Sequence, residues 1–315
     1  MKILITHVDL DGFGVNILQS LYRKYIPFDD ILNKNYGFED SQEIKDLITP
    51  DNDIIITDLS IPENVFIEWK KILHSIKIID HHESSKYLDN YRGNIWSTEL
   101  CGTALFWENY VKPILKKNNV IISDKVEHFV RLVDCYDRWQ DDSPLWEDAT
   151  RLNKINQIYK DKFVSHMVEK LSTIWEWSDE EKAYYEKVEE EENNLLSIVE
   201  KELVIKTDNY GDNFCLIEMK DKSKVSMVCS KLLSKYKNID YCIAYYPSRN
   251  SLSFRTKNDH FDLTKLQGVF GHKAAAGGGY DMSDFYKLLL DDYCVARVKD
   301  GVRKSQKIVV EKIIA

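Results

Sequence analysis

The chain has 315 residues, beyond the size at which a single core usually stops growing, so two domains are expected. Hydrophobic residues make up 43% and charged residues 30%, which supports packed cores and excludes a largely disordered chain. The formal net charge of -9 argues against tight, sequence-blind binding of duplex nucleic acid, which relies on many Lys and Arg contacts, and is compatible with an acidic site that takes up cations.

No apolar run approaches the ~18 residues that would span a bilayer. The start MKILITHVDL enters a strand pattern rather than a signal peptide, so no membrane association and a cytoplasmic location are expected. Cys101, Cys135, Cys215, Cys229, Cys242 and Cys294 form no CxxC pair, which points to buried free thiols rather than a disulfide framework or thiolate zinc site.

In chain order, a strand is expected over Lys2 to Thr6, a helix from about Phe13, a strand over Asp53 to Thr57, a helix after Pro62 and a strand over Ile76 to Ile79. Apolar runs separated by helical stretches indicate a parallel sheet covered on both faces, with its ligands at the carboxyl ends of the strands. Gly102 to about Trp139 reads as two helices, with Val126, Phe129, Val130 and Val133 at core spacing. A long connecting helix follows from Trp175 to Glu202, where Ser178 and Glu181 form a capping box and Glu189 to Glu192 read as a solvated face. Beyond it, strands at Leu203 to Lys206 and Phe214 to Ile217, a helix at Ser223 to Tyr236, and a hairpin of Tyr241 to Tyr246 with Ser251 to Arg255 around PSRN indicate a smaller α/β domain. Lys299 to Ala315 reads as either a terminal strand or a tail. The fold class is thus α/β, with an N-terminal parallel-sheet domain over 1–175, a helical linker over 176–202 and a second α/β domain over 203–315.

Acidic residues and histidines follow the strands of the first domain. ITHVDLDGFG supplies His7, Asp9 and Asp11, with Gly12 allowing a sharp turn into a helix; IIITDLS ends in Asp58; KIIDHHESS supplies Asp80, His81 and His82. Each has an ordinary alternative as a turn or helix cap. Their recurrence at successive strand ends is not something packing requires. Oxygen ligands mixed with imidazole suit manganese, magnesium, iron or zinc, and a pair of such ions can activate water for displacement at phosphorus. A buried strand-end carboxylate such as Asp58 is the natural bridge.

Asp80-His81-His82 resembles the signature of the DHH phosphoesterases, a group that includes RecJ-type exonucleases, nano-RNases, cyclic-dinucleotide phosphodiesterases, exopolyphosphatases and family II inorganic pyrophosphatases. HVDLDG is similar to their first motif, ITDLS to the second and LVDCYDRW to the fourth, while FGHKAAAGG at Phe270 to Gly278 resembles the GGGHxxAAG motif of the DHH-associated domain. The resemblance implies that Asp9, Asp11, Asp58, His81 and Asp134 ligate two divalent ions, manganese with magnesium or cobalt as alternatives, and that Asp58 bridges them. It implies further that His82 faces the scissile phosphate and that Asp80 orients a neighbouring histidine. Two departures stand out. His7 is separated from Asp9 by Val8 alone, where many relatives have three residues, so His7 either ligates or stands beside the ligands; it is taken as a ligand. Asp137 lies one helical turn from Asp134 and is held in reserve.

In the second domain Gly271, His272, Gly277 and Gly278 are expected to let backbone amides approach a phosphate, and the resemblance implies that Arg255 holds a distal phosphate or terminal nucleotide. Phe270 stands where the family has another glycine. The expected activity is hydrolysis of short oligonucleotides or small nucleotides lying between the two domains. A RecJ-like single-strand exonuclease or a non-catalytic nucleotide-binding scaffold is the alternative, and a homodimer is compatible with the sequence without being indicated by it. The FGHKAAAGG motif counts against a pyrophosphatase, and the absence of a preceding membrane segment counts against a tethered cyclic-dinucleotide enzyme.

Overall fold

The computed structural model describes residues 1–173, 175–207, 212–220, 224–246, 251–257, 261, 263, 270–272, 275–279, 293–294, 297–299, 302–304 and 307–308. It divides into two compact units, 1–185 and 186–315.

The first unit is built on five parallel strands, β1 (Lys2–His7), β2 (Asp30–Lys34), β3 (Asp53–Thr57), β4 (Ser75–Asp80) and β5 (Ile95–Trp96), in the order β2-β1-β3-β4-β5. Alternate residues of the central strands enter two separate cores. Leu4, Ile55 and Ile79 face one, and Ile3, Ile5, Ile54, Ile56 and Ile78 face the other. Both faces are therefore covered, which is why these strands read as continuous apolar runs.

The larger core is closed by α1 (Leu10–Leu21), α4 (Gly102–Phe106), α5 (Lys112–Lys117), α6 (Asp124–Asp137), α7 (Trp146–Tyr159) and α8 (Phe163–Ser172). The opposite face carries α2 (Gln42–Leu47) and α3 (Glu63–Ile72), through Ile44, Phe66 and Trp69. A π-helical segment, Trp107–Val111, joins α4 to α5, so Gly102 to Asp137 holds two helical rods as expected. Val126, Phe129, Val130 and Val133 of α6 are all buried in the core. β2, α7 and α8 were not anticipated. β2 is a half-exposed edge strand without an apolar run, and α8 buries only Phe163, Met167 and Leu171.

The long helix α9 (Asp179–Lys201) carries the division between the units. At its start the Glu181 amide donates to Ser178 Oγ at 3.2 Å and the Glu181 carboxylate accepts the Ser178 amide at 2.7 Å, a reciprocal capping box. Glu189, Glu190 and Glu191 are solvated, whereas Glu192 is buried.

In the second unit β6 (Val204–Thr207), β7 (Asn213–Glu218), β8 (Tyr241–Tyr246), β9 (Ser251–Thr256), β10 (Phe270–His272) and β11 (Ala275–Gly279) form a mixed sheet ordered β10-β11-β9-β8-β7-β6, with α10 (Val225–Lys235) connecting the parallel pair β7 and β8. Val199 of α9 joins Ile217, Val228, Leu232 and Ala244 in this unit's core. Tyr246 pairs with Ser251, so the strands of the expected hairpin are present, while its turn, 247–250, lies outside the described residues. Of the C-terminal stretch, Arg297–Lys299 pairs with Val302–Lys304, and Tyr293–Cys294 with Lys307–Ile308; the remainder lies outside the described residues. Cys101, Cys135, Cys215, Cys229 and Cys242 are free and buried. No helix among the described residues is long and apolar enough to cross a membrane.

Glu181 is only 1% exposed and also accepts from Lys170 and from His166 at 2.8 Å. Burial alone would raise its pKa, but Lys170, the Ser178 amide and His166 outweigh it and hold the carboxyl below its ordinary 4.5. The stability it contributes is therefore complete above that value and is lost as pH falls through the depressed one. Glu181→Gln is expected to lower stability by about 1.5–3 kcal/mol at pH 7. In denaturant titrations the gap from wild type should close below pH 4, and a pH-independent gap would contradict this assignment.

Candidate metal centre

The carboxyl ends of β1, β3 and β4 open at one pole of the parallel sheet. The strand order reverses between β1 and β3, the switch point where open α/β sheets form their ligand crevice. His7 ends β1, and Asp9 caps α1 by accepting the Gly12 amide at 3.1 Å. A Cβ on Gly12 would stand 2.1 Å from the His7 carbonyl oxygen, so only glycine permits this tight return.

Asp11 is fully buried, and its two oxygens accept the backbone amides of Gly102 and Thr103 at 2.6 and 2.7 Å. The first turn of α4 thereby clamps the carboxylate in one orientation. A Cβ on Gly102 would lie 2.6 Å from Asp58 Cβ and 3.0 Å from Asp11 Oδ2, so glycine is required here too. Asp58 follows β3 with φ of +55°, a left-handed conformation that is costly for most residues and tolerated by Asp and Asn.

These elements bring together three overlapping sets of donors, each with its ligand atoms within 4.8 Å of one another: His7, Asp9 and Asp58; Asp58, Asp80, His81 and His82; Asp11, His81 and Asp137. His7 Nδ1 is 2.7 Å from Asp9 and 3.9 Å from Asp58. His81 Nε2 is 3.2 Å from Asp58, 3.5 Å from Asp137 and 3.8 Å from Asp11. Asp58 and His81 each belong to two sets and so occupy the middle of the site.

The electrostatics favour added positive charge. Burial, followed by Asp11 and Asp9, pushes the Asp58 carboxyl well above the carboxylate range, and the same groups do so for Asp137. Asp58 Oδ2 and Asp137 Oδ2 are buried with no hydrogen-bond donor among the described residues, an expensive state unless a cation or proton fills it. Mixed carboxylate and imidazole donors around unpartnered oxygens fit divalent cations of the manganese, magnesium or zinc type.

His82 is arranged differently. Its Nδ1 is 2.7 Å from Asp80 Oδ1, and Asp80 is braced by Ser60 Oγ at 3.0 Å and by the His81 amide at 2.9 Å. Burial opposes an imidazolium at His82, but the Asp80 carboxylate outweighs it and raises the histidine's pKa; burial likewise opposes the Asp80 charge, and His82 overcomes it, leaving that carboxyl well below its ordinary value. Burial followed by His82 lowers the pKa of His81, a shift toward the neutral form that a ligand must have.

Of the residues singled out in the sequence, His7, Asp9, Asp11, Asp58, Asp80, His81 and His82 converge, and Asp134 does not. Its Oδ1 accepts the Cys101 amide at 2.8 Å and its Oδ2 accepts from Gln140 at 3.2 Å, so it anchors the start of α4. Asp137 takes the place expected for Asp134 because a three-residue step on α6 turns its carboxylate toward His81. Tyr36 was missed altogether. It lies beyond β2, its hydroxyl is 2.7 Å from His82 Nε2, and its ring rests 4.9 Å from that of His7. The only sequence signal was a tyrosine before Gly37, which takes φ of +79°.

In the second unit Arg255 is a half-buried strand residue, donating to the Phe254 carbonyl at 2.7 Å and to Ser226 Oγ at 3.0 Å. Gly271, His272, Gly277 and Gly278 lie in strands. Gly271 pairs with Ala276 and His272 with Ala275, while Gly277 and Gly278 lie in β11, which has partners on both sides. Gly277 is needed because a Cβ there would come within 2.9 Å of the Leu252 carbonyl oxygen. The His272 side chain lies outside the described residues.

Asp137→Asn is expected to weaken manganese binding at least 10-fold, whereas Asp134→Asn is expected to keep the tighter binding of the two and lose about 1–3 kcal/mol of stability. Calorimetric titration with manganese beside denaturant unfolding checks both, and the reverse ranking of affinities would restore Asp134 as the ligand.

Neither a family model nor a curated protein sequence matches the chain. Solved structures do. A DHH domain described as a member of an S1p family of ribosomal proteins superposes with a TM-score of 0.60 at 16% identity, over 88% of this chain and 82% of that one. The pGpG-specific phosphodiesterase PggH from Vibrio cholerae gives 0.56 at 15% identity, over 91% and 96%. RecJ in complex with Mn2+ from Thermus thermophilus gives 0.59 at 11% identity, over 90% of this chain and 50% of RecJ. These likenesses show that the chain shares the fold of these DHH-domain structures.

Proposed function

We propose that the chain is a metal-dependent phosphoesterase that hydrolyses short oligonucleotides or small nucleotides with two divalent ions, manganese foremost. The observation that carries this reading is the pair of buried carboxylate oxygens of Asp58 and Asp137 that accept no hydrogen bond among the described residues, inside a ring of imidazoles and further carboxylates. Packing gives no reason to gather such groups, whereas two cations do.

Asp9, Asp58 and His7 would hold one ion, and Asp11, His81 and Asp137 the other, with Asp58 and His81 in contact where the two sets meet. Divalent ions supply charge that polarises a phosphate ester and make water acidic enough to attack near neutral pH. The chain's own contribution is positioning. The first-turn amides of α4 fix Asp11, the left-handed backbone at Asp58 holds its carboxylate among the other donors, and Asp80 would orient His82 toward the substrate phosphate. The likeness to PggH over nearly the full length of both chains supports a small dinucleotide-sized substrate. Arg255 and the segment around His272 belong to this proposal as the substrate-binding groups of the second unit.

The test offers the purified chain linear and cyclic dinucleotides, di- to decanucleotides of RNA and DNA, 3'-phosphoadenosine phosphate and pyrophosphate. Turnover is expected on the short nucleotides, lost on chelation and restored by manganese. Asp58→Ala and His81→Ala should each lower it by more than the ~10–100-fold typical of groups that only support a ligand. Equal rates on long and short strands would contradict the short-substrate reading, and wild-type rates in both variants would contradict the site.

A further inference from the structure

We propose that Tyr36 is a substrate-binding residue of this site: its hydroxyl, held on His82 Nε2 in the free protein, passes to a non-bridging oxygen of the scissile phosphate when substrate binds. This deepens the phosphoesterase reading and rests on it.

The His82 ring is engaged at both nitrogens, by Asp80 at Nδ1 and by Tyr36 at Nε2, each at 2.7 Å. With the Nδ1 proton donated to Asp80, the neutral ring presents Nε2 as an acceptor and the tyrosine hydroxyl donates to it. A phosphate oxygen approaching His82 must therefore meet the tyrosine hydroxyl. Exchange of partners satisfies every group: the hydroxyl donates to the phosphate, and the freed nitrogen accepts a hydrogen bond from water in its place.

The setting of Tyr36 fits a residue kept for a ligand rather than for packing. It is 54% exposed, while its neighbour Phe38 is buried against Trp69 and fixes the loop. On the other side, Lys34 of β2 is in register with His7 of β1. The tyrosine is thus supported from both directions and leaves its own ring at the mouth of the metal cluster, edge-on to His82. Tyr36→Phe removes only the hydroxyl and keeps the ring against His7.

The experiment measures binding of inorganic phosphate and of uridine 5'-monophosphate to the full chain saturated with manganese, by calorimetry, for wild type, Tyr36→Phe and Tyr36→Ala. The expected result is wild-type manganese stoichiometry in all three and a loss of phosphate affinity of about 10-fold or more in both variants, as for a hydrogen bond to a charged group. In metal-free protein, the 15N resonance of His82 Nε2 should move in Tyr36→Phe while Nδ1 stays. Phosphate affinity within twofold of wild type in Tyr36→Phe, or an unmoved Nε2 resonance, overturns the role of Tyr36 and leaves the phosphoesterase reading standing. Failure of manganese-loaded wild type to bind either probe overturns both.

Discussion

Asp58 sits where three polypeptide segments leave the sheet together, and it has no means of avoiding its neighbours. Asp9, Asp11, Asp80 and Asp137 all act on it through a poorly solvated interior. Two like charges ~4 Å apart at an effective dielectric near 20 repel by about 4 kcal/mol, a large part of the ~5–15 kcal/mol that holds a typical domain together. In the metal-free fold this repulsion, with burial, favours protons on Asp58 and Asp137, whose pKa values are raised. Cations would relieve it by replacing those protons. The remainder of the first unit holds this unfavourable arrangement in place.

The supports are local and identifiable. Gly12 lets the chain double back on His7, and Gly102 lets the amides at the start of α4 reach Asp11. Asp134 ties down the segment that delivers Gly102, so a residue outside the cluster still governs its shape. Asp80 is paired with His82, whose attraction overcomes burial, which explains why two aspartates at neighbouring strand ends, Asp58 and Asp80, have opposite pKa shifts.

Much of this was legible beforehand. Apolar runs of the β1, β3 and β4 type announce a parallel sheet, and acids or histidines just after them announce its ligand end. What stayed hidden has physical causes. β2 is an edge strand with a polar sequence, so neither it nor Tyr36 beyond it leaves an apolar trace. Asp134 and Asp137 lie on nearly one face of α6, and spacing cannot distinguish the one that reaches His81 from the one that reaches Cys101. In the second unit, a close-approaching carbonyl from the neighbouring strand leaves no room for a side chain at Gly277 within a sheet, and a cluster of glycines in the sequence does not reveal that contact.

If repulsion at Asp58 is what the site is built around, neutralising that carboxylate should help the empty protein while depriving it of its cation. Asparagine preserves shape and tolerates the left-handed backbone, so Asp58→Asn isolates the charge. A carboxyl whose pKa is raised on folding destabilises the fold as pH climbs from its ordinary value of 3.8 through the raised one. Thermal unfolding of both proteins at pH 7, with chelator and then with manganese, is the direct measurement. The account predicts that Asp58→Asn melts several degrees above wild type in chelator and gains nothing from manganese, which stabilises wild type. An Asp58→Asn protein that melts lower than wild type in chelator, or that responds to manganese as wild type does, would contradict it.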